Sequence, residues 1–141
     1  MIQRIQSLYL LIVAIAAFST YTLNLYVGKL ADGTERSLLL ADDFLMVICI
    51  ILLGLLAMAC IFLFKNRNLQ FKLSVLGGIA SFGFLFLEYF KVEAFKTNMN
   101  FVSGQYQIGA IVPLFMVIFF FLAAKGIYKD EKLVKSLDRL R

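Results

Sequence analysis

The chain has 141 residues, 62% of them hydrophobic, and its mean hydropathy is +0.88. A soluble domain is about half apolar, and a small one leaves much of its surface in water, so this composition excludes an ordinary soluble protein. The net charge of +5 requires no nucleic-acid partner, because basic residues beside an anionic membrane surface account for it. Histidine is absent, which removes the commonest metal ligand and the usual general base.

Four long apolar stretches occupy more than half of the chain, at residues 7–25, 44–64, 73–90 and 108–124. A helix needs about 20 mostly apolar residues to cross ~30 Å of hydrocarbon. The first two stretches reach that length, and the last two fall slightly short and would rely on flanking aromatic rings and lysine stems. We predict an all-α membrane protein in which residues 1–141 form a single domain, a bundle of four transmembrane helices.

Three polar side chains, Gln3, Arg4 and Gln6, stand just ahead of the first stretch. One interpretation is an interfacial anchor in which Arg4 meets lipid phosphates. The other is a docking surface on which these three side chains hydrogen-bond a protein partner. The residues alone leave both open.

The opening Met-Ile-Gln-Arg-Ile-Gln resembles the start of an uncharacterised family of small bacterial inner-membrane proteins, known only as a domain of unknown function. Members of that family have four predicted spans, so the resemblance extends in length and topology over essentially the whole chain. It implies a bacterial cytoplasmic membrane and a four-helix arrangement. It implies no activity.

The two loops on one side of the predicted membrane have the composition of β-hairpins. In the first, Asp32-Gly33 stands between two β-compatible runs, and this dipeptide is a strong hairpin signal because both residues tolerate positive φ. The second, around Ser103-Gly104, shows a weaker version of the same pattern. We expect at least the first hairpin, and both together would form a small extracytoplasmic sheet over the helix ends. The alternative is two irregular loops.

Small residues mark one side of the third stretch. Four-residue spacings of this kind let helix backbones approach closely, which matters in lipid because no hydrophobic force drives helices together there. The pattern predicts a helix-packing face, either within the bundle or toward a partner, formed by Ser74, Gly77, Gly78, Ser81 and Gly83.

Glu88 is the only charged residue inside a predicted span. An unpaired charge in hydrocarbon costs several kcal/mol, so such a residue is a candidate functional site. Lys91 lies three residues later, and the two can meet on one helix face. We therefore expect an ion pair near the outer interface, and the alternative is a site that binds a proton or a cation.

The distribution of basic residues predicts the orientation, because cytoplasmic loops carry an excess of Lys and Arg. Ten basic residues lie on the side of the termini and four on the other, so both termini are expected in the cytoplasm. Residues 125–141 have apolar positions at helical spacing among many charges, which predicts an amphipathic cytoplasmic tail on anionic headgroups.

Three function classes follow from these features. The first is an accessory or scaffold subunit of a larger membrane complex, which would need a membrane-protein partner and membrane lipids but no cofactor. The second is a small transporter, or an ion- or lipid-binding protein, that uses Glu88. The third is an enzyme, which we do not expect because the sequence contains no recognisable nucleophile with its base and no metal-ligand cluster.

Overall fold

The computed structural model describes residues 5–138. It contains four α-helices and three β-strands, with 3₁₀ turns at Leu40–Asp42 and Ile108–Ala110. In chain order the elements are α1 (Ile5–Thr20), β1 (Asn24–Lys29), β2 (Glu35–Leu39), α2 (Phe44–Phe62), α3 (Arg67–Met99), β3 (Ser103–Tyr106) and α4 (Val112–Asp138).

Three of the helices, α2, α3 and α4, are long and apolar enough to cross a membrane. The first is shorter, with 16 described residues, so the predicted span at 7–25 is too long at its end. Hydroxyl groups stand where α1 finishes: Ser19 and Thr20 both donate to the Ala16 carbonyl, at 2.9 and 2.7 Å. Such side-chain bonds to the backbone compete with helix continuation.

The third and fourth helices are longer than the apolar stretches that predicted them. α3 has 33 residues, against the expected 73–90, and ends at Asn100, which has a positive φ of 49°. α4 begins after a 3₁₀ turn and continues without a break to Asp138. The segment predicted as an amphipathic basic tail, residues 125–141, continues this helix as far as Asp138, and residues 139–141 lie outside the described residues.

The three strands form one antiparallel sheet in the order β2-β1-β3. The first hairpin is confirmed: β1 and β2 are joined through Asp32-Gly33, and Gly33 has a φ of +79°. The prediction of a second hairpin is wrong. Ser103 and Gly104 are not turn residues but strand residues, paired with Lys29 and Gly28 of β1. The second loop therefore supplies one strand to the sheet of the first.

The helices and the sheet share one hydrophobic core. α1 packs against α2 and α4, and α3 packs against the same two helices. Leu25 and Tyr26 of β1 are buried in the same cluster as Met46 of α2 and Val92 of α3. We call this end of the helices the sheet end, and the opposite end, with the α2–α3 connection at residues 63–66, the turn end.

Candidate functional site on the third helix

One face of α3 is buried along almost the whole helix, and most of its members are small or polar. The positions recur at intervals of three and four residues, which keeps them on one side of an α-helix. This buried face comprises Gln70, Ser74, Gly77, Gly78, Ser81, Phe84, Glu88 and Val92. Four of the five residues that the sequence predicted as a packing face are therefore buried together, and Gly83 is not among them.

Gly77 and Gly78 pack within the chain. A Cβ atom on Gly77 would lie 2.5 Å from Cε1 of Phe120 and 2.9 Å from Cδ2 of Leu56. At Gly78, a Cβ atom would lie 3.2 Å from the ring of Phe121. The absence of side chains at these two glycines thus lets α3 approach the aromatic side of α4, as small residues do between membrane helices.

Gly83 lies in a different environment. A Cβ atom built on it would meet no atom of the described residues within 4 Å, and the residue is exposed. It lines a groove between α2 and α3 with a volume of about 270 Å³. The groove is almost wholly apolar, and its walls are Cys49, Leu52, Leu53, Leu56, Ala80, Gly83, Phe84 and Leu87.

Glu88 is 4% exposed, and neither of its carboxylate oxygens has a hydrogen-bond partner among the described residues. The expected ion pair with Lys91 is absent, because the Lys91 ammonium instead contacts Oδ2 of Asp43 at the start of α2. Asp43 lies 48 residues earlier in the chain, so spacing within the third stretch could not reveal it. The prediction of an interfacial ion pair between Glu88 and Lys91 is therefore wrong, and Glu88 is buried without a counter-ion among the described residues.

Other polar atoms of the same face are also unpaired within residues 5–138. The hydroxyl of Ser81 and Oε1 of Gln70 are buried without a hydrogen-bond partner. The Ser74 hydroxyl is buried too, and it lies against the thiol of Cys60. The amide nitrogen of Gln70 does donate, to the carbonyl of Cys60 at 2.9 Å. A buried polar group without a partner costs about 1–3 kcal/mol, so this face is not optimised for stability.

The sheet end, in contrast, pairs its charges. Asp43 caps α2 by accepting from the backbone amides of Leu45 and Met46, at 3.1 and 3.2 Å. The hydrogen bond from Lys91 lowers the pKa of the Asp43 carboxyl. At the other side of this end, Lys96 donates to Glu93 at 2.7 Å and to the Tyr106 hydroxyl at 3.0 Å, which ties α3 to β3.

At the turn end, Asp130 of α4 connects α4 to α1 and α3 through two hydrogen bonds. Its carboxylate accepts a hydrogen bond from Nε2 of Gln6 at 2.8 Å, and its backbone carbonyl accepts one from Arg67 at 3.3 Å. Gln6 is 3% exposed, so the structure places it in a contact between α1 and α4 rather than on a docking surface. Gln3 and Arg4, which the sequence grouped with Gln6, lie outside the described residues.

The family comparison agrees with the resemblance of the opening residues. The matching family model is described as a domain of unknown function (DUF4293), and it covers residues 2–140. The chain belongs to this family. No curated protein and no solved structure matches the chain. Membership in the DUF4293 family supplies no activity, so function has to be argued from the residues.

Two features of this DUF4293 chain escaped sequence reasoning. Gln70 lies four residues before Ser74, so the same spacing that predicted the small-residue face would have included it one turn earlier. Asp130 gave no such signal, because its two contacts come from α1 and α3 and depend on how the helices are arranged.

Proposed function

We propose that the protein is an accessory or scaffold subunit of a larger complex in the bacterial cytoplasmic membrane, and not an enzyme. The observation that carries this proposal is the apolar groove at Gly83 between α2 and α3. The occupant that we propose is a transmembrane helix of a partner protein.

The comparison of glycines on α3 supports a helix as the occupant. Gly77 and Gly78 are each covered by an aromatic side chain of α4, whereas no side chain of residues 5–138 fills the space beside Gly83. Ala80, three residues earlier, also lines the groove. Two small residues one turn apart permit a close backbone approach, which is the usual basis of helix association in lipid.

The proposed orientation places the termini and the turn end in the cytoplasm and the sheet outside. Arg67 reaches Asp130 at the turn end, so the basic α2–α3 connection and the basic part of α4 lie together. Cytoplasmic segments carry such an excess of Lys and Arg, and anionic headgroups attract it. The ten basic residues on this side are Arg4, Lys65, Arg67, Lys72, Lys125, Lys129, Lys132, Lys135, Arg139 and Arg141. Lys29, Arg36, Lys91 and Lys96 are on the other side.

The test substitutes Gly83→Phe and compares it with Leu76→Phe in the full chain, captured from native membranes in lipid nanodiscs. Leu76 is an exposed α3 residue that does not line the groove, so it controls for adding an aromatic ring to this helix. Filling a helix contact with a ring costs about 1–3 kcal/mol, which corresponds to a partner affinity about 5- to 150-fold lower.

The expected result is a stoichiometric partner that is retained with Leu76→Phe and lost with Gly83→Phe. The binding site is then located by a photoreactive residue at position 87, which should crosslink to that same partner. Equal partner recovery from both variants, or crosslinks from position 87 to lipid alone, would refute the groove as a protein-docking site.

A further inference from the structure

The most unusual group in the described structure is the carboxyl of Glu88. It lies on the α3 face that contacts the other helices, is 4% exposed, and makes no hydrogen bond within the described residues. A buried carboxylate with neither a counter-ion nor hydrogen-bond donors is strongly disfavoured, because the membrane interior offers no water to replace them. The side chain thus needs a ligand that neutralises it.

The depth of Glu88 follows from its neighbour Lys91. The ion pair of Lys91 with Asp43 fixes that turn of α3 against the beginning of α2. Glu88 is three residues earlier and so lies about 4.5 Å deeper along the helix axis. The carboxyl is therefore below the sheet end and inside the helices rather than at their tips.

The charged and titratable groups of the surrounding elements do not neutralise Glu88. α1 carries no charged residue from Ile5 to Thr20, and α4 carries none from Val112 to Ala124. α2 contributes Asp43, which pairs with Lys91, and the thiols of Cys49 and Cys60. On α3 itself, Tyr89 is exposed and its ring packs on Phe90, and Glu93 and Lys96 bond each other. The rings of Tyr26 of β1 and Tyr106 of β3 contact Lys96. Tyr9 and Tyr21 lie near the two ends of α1.

We propose that Glu88 is a proton-binding site within the membrane. A proton leaves hydronium, which becomes water, and forms an O–H bond with one carboxylate oxygen. The neutral acid fits a buried apolar site, whereas the ionised form would require water or a rearrangement of the helices. A metal ion fits less well, because hard cations take six or more oxygen ligands and this site offers one carboxylate.

The buried face of α3 also supplies polar positions between Glu88 and the turn end. Ser81 and Gln70 follow on the same face, each with a buried oxygen that lacks a partner in the described part of the chain. From Glu88 to Gln70 is 18 residues, about 27 Å along the axis, which is close to the thickness of the hydrocarbon layer. The proposal does not depend on the scaffold function.

The test is infrared spectroscopy of the full chain in lipid nanodiscs, which detects the C=O stretch of a protonated carboxyl apart from the amide bands. The wild-type protein should show this band at neutral pH, and Glu88→Gln should remove it. Glu93→Gln is the matched control, since Glu93 lies on the same helix but is half-exposed and paired with Lys96. The control should keep the band.

Two controls distinguish loss of the carboxyl from misfolding of the variant. Gln has nearly the shape of the protonated acid, so Glu88→Gln should elute in size-exclusion chromatography as the wild type does. Glu88→Asp keeps a carboxyl and should shift the band without abolishing it. A wild-type spectrum with no protonated carboxyl at neutral pH, or a band that survives Glu88→Gln, would overturn the assignment.

Discussion

The sheet end and the buried face of α3 differ in whether their polar side chains have hydrogen-bond partners. At the sheet end, Asp43 is bonded to Lys91 and to two backbone amides, and Lys96 is bonded to Glu93 and Tyr106. Along the buried face, Ser81 and Glu88 leave every side-chain oxygen without a described partner. The chain can thus satisfy polar side chains, and it does so where water is near.

This difference distinguishes residues that stabilise the fold from residues whose presence stability does not explain. Each unpaired buried polar group costs about 1–3 kcal/mol, and the face carries several. Close packing of Gly77 and Gly78 against Phe120 and Phe121 lies on the same face and can offset part of that cost. The glycines therefore account for how α3 is held in place, whereas stability does not account for the unpaired polar oxygens.

The largest effect is expected where the glycines pack. Gly77→Ala forces a Cβ atom to within 3 Å of Phe120 and Leu56, and because Phe120 is fully buried its ring has no room to withdraw. We expect the free energy of unfolding to fall by about 1–3 kcal/mol. Gly83→Ala is the matched variant, since its Cβ atom meets open space. It should leave stability unchanged or raise it by up to about 1 kcal/mol through helix propensity.

Unfolding titrations with a denaturing detergent, in which both variants are compared with the wild type, measure this contrast. If the two alanine variants lost stability equally, the distinction between a filled and an open glycine on α3 would be wrong.

Sequence patterns predicted the four helices and one turn, but not where the elements end or which distant groups meet. Hydropathy located four helices, yet it could not show that hydroxyl groups end α1 at Thr20. Ser103-Gly104 resembled a turn because turn propensity is local, whereas its pairing with Gly28 and Lys29 depends on a strand more than 70 residues away. Asp32-Gly33 was correctly predicted because its turn depends on its own two residues.

The same limit applies to the candidate site. The spacing of small residues identified the packing face of α3, but only the position of α4 shows that Gly77 is covered and Gly83 is open. Lys91 was assigned to Glu88 by its i, i+3 spacing, and a partner 48 residues away in the sequence proved to be better placed. In both cases the missing information was a contact between helices, which a single sequence does not contain.

An intermediate effect is expected at Asp43, where the sheet end meets the helices. Asp43→Ala removes the cap of α2 together with the Lys91 pair and should cost about 1–2 kcal/mol. Asp43→Asn keeps an oxygen for the cap and should cost less. Because the hydrogen bond from Lys91 lowers the pKa of this carboxyl in the folded protein, the stabilisation is present above the unfolded pKa of 3.8.

This contribution is lost as the pH falls below 3.8 and through the lower folded pKa. Thermal unfolding in detergent between neutral and acidic pH should therefore show a smaller acid destabilisation in Asp43→Asn than in the wild type. Lys91→Met should reduce it as well. Identical acid profiles in all three proteins would show that the pair does not contribute to stability.

The smallest effect is expected at the tip of the sheet, in the turn of the first hairpin. Gly33 has a φ of +79°, a conformation that costs other residues about 1 kcal/mol, although a Cβ atom there would touch nothing within 4 Å. Gly33→Ala should therefore be penalised by backbone strain alone. The neighbouring Asp32→Ala is the control, because Asp32 does not have a positive φ. Hydrogen exchange should show faster opening of the β1–β2 hairpin in Gly33→Ala while the amides of α3 keep their protection. If α3 lost protection as well, the sheet and the helices would unfold as one unit. The two regions would then differ in how their polar groups are paired but not in their stability.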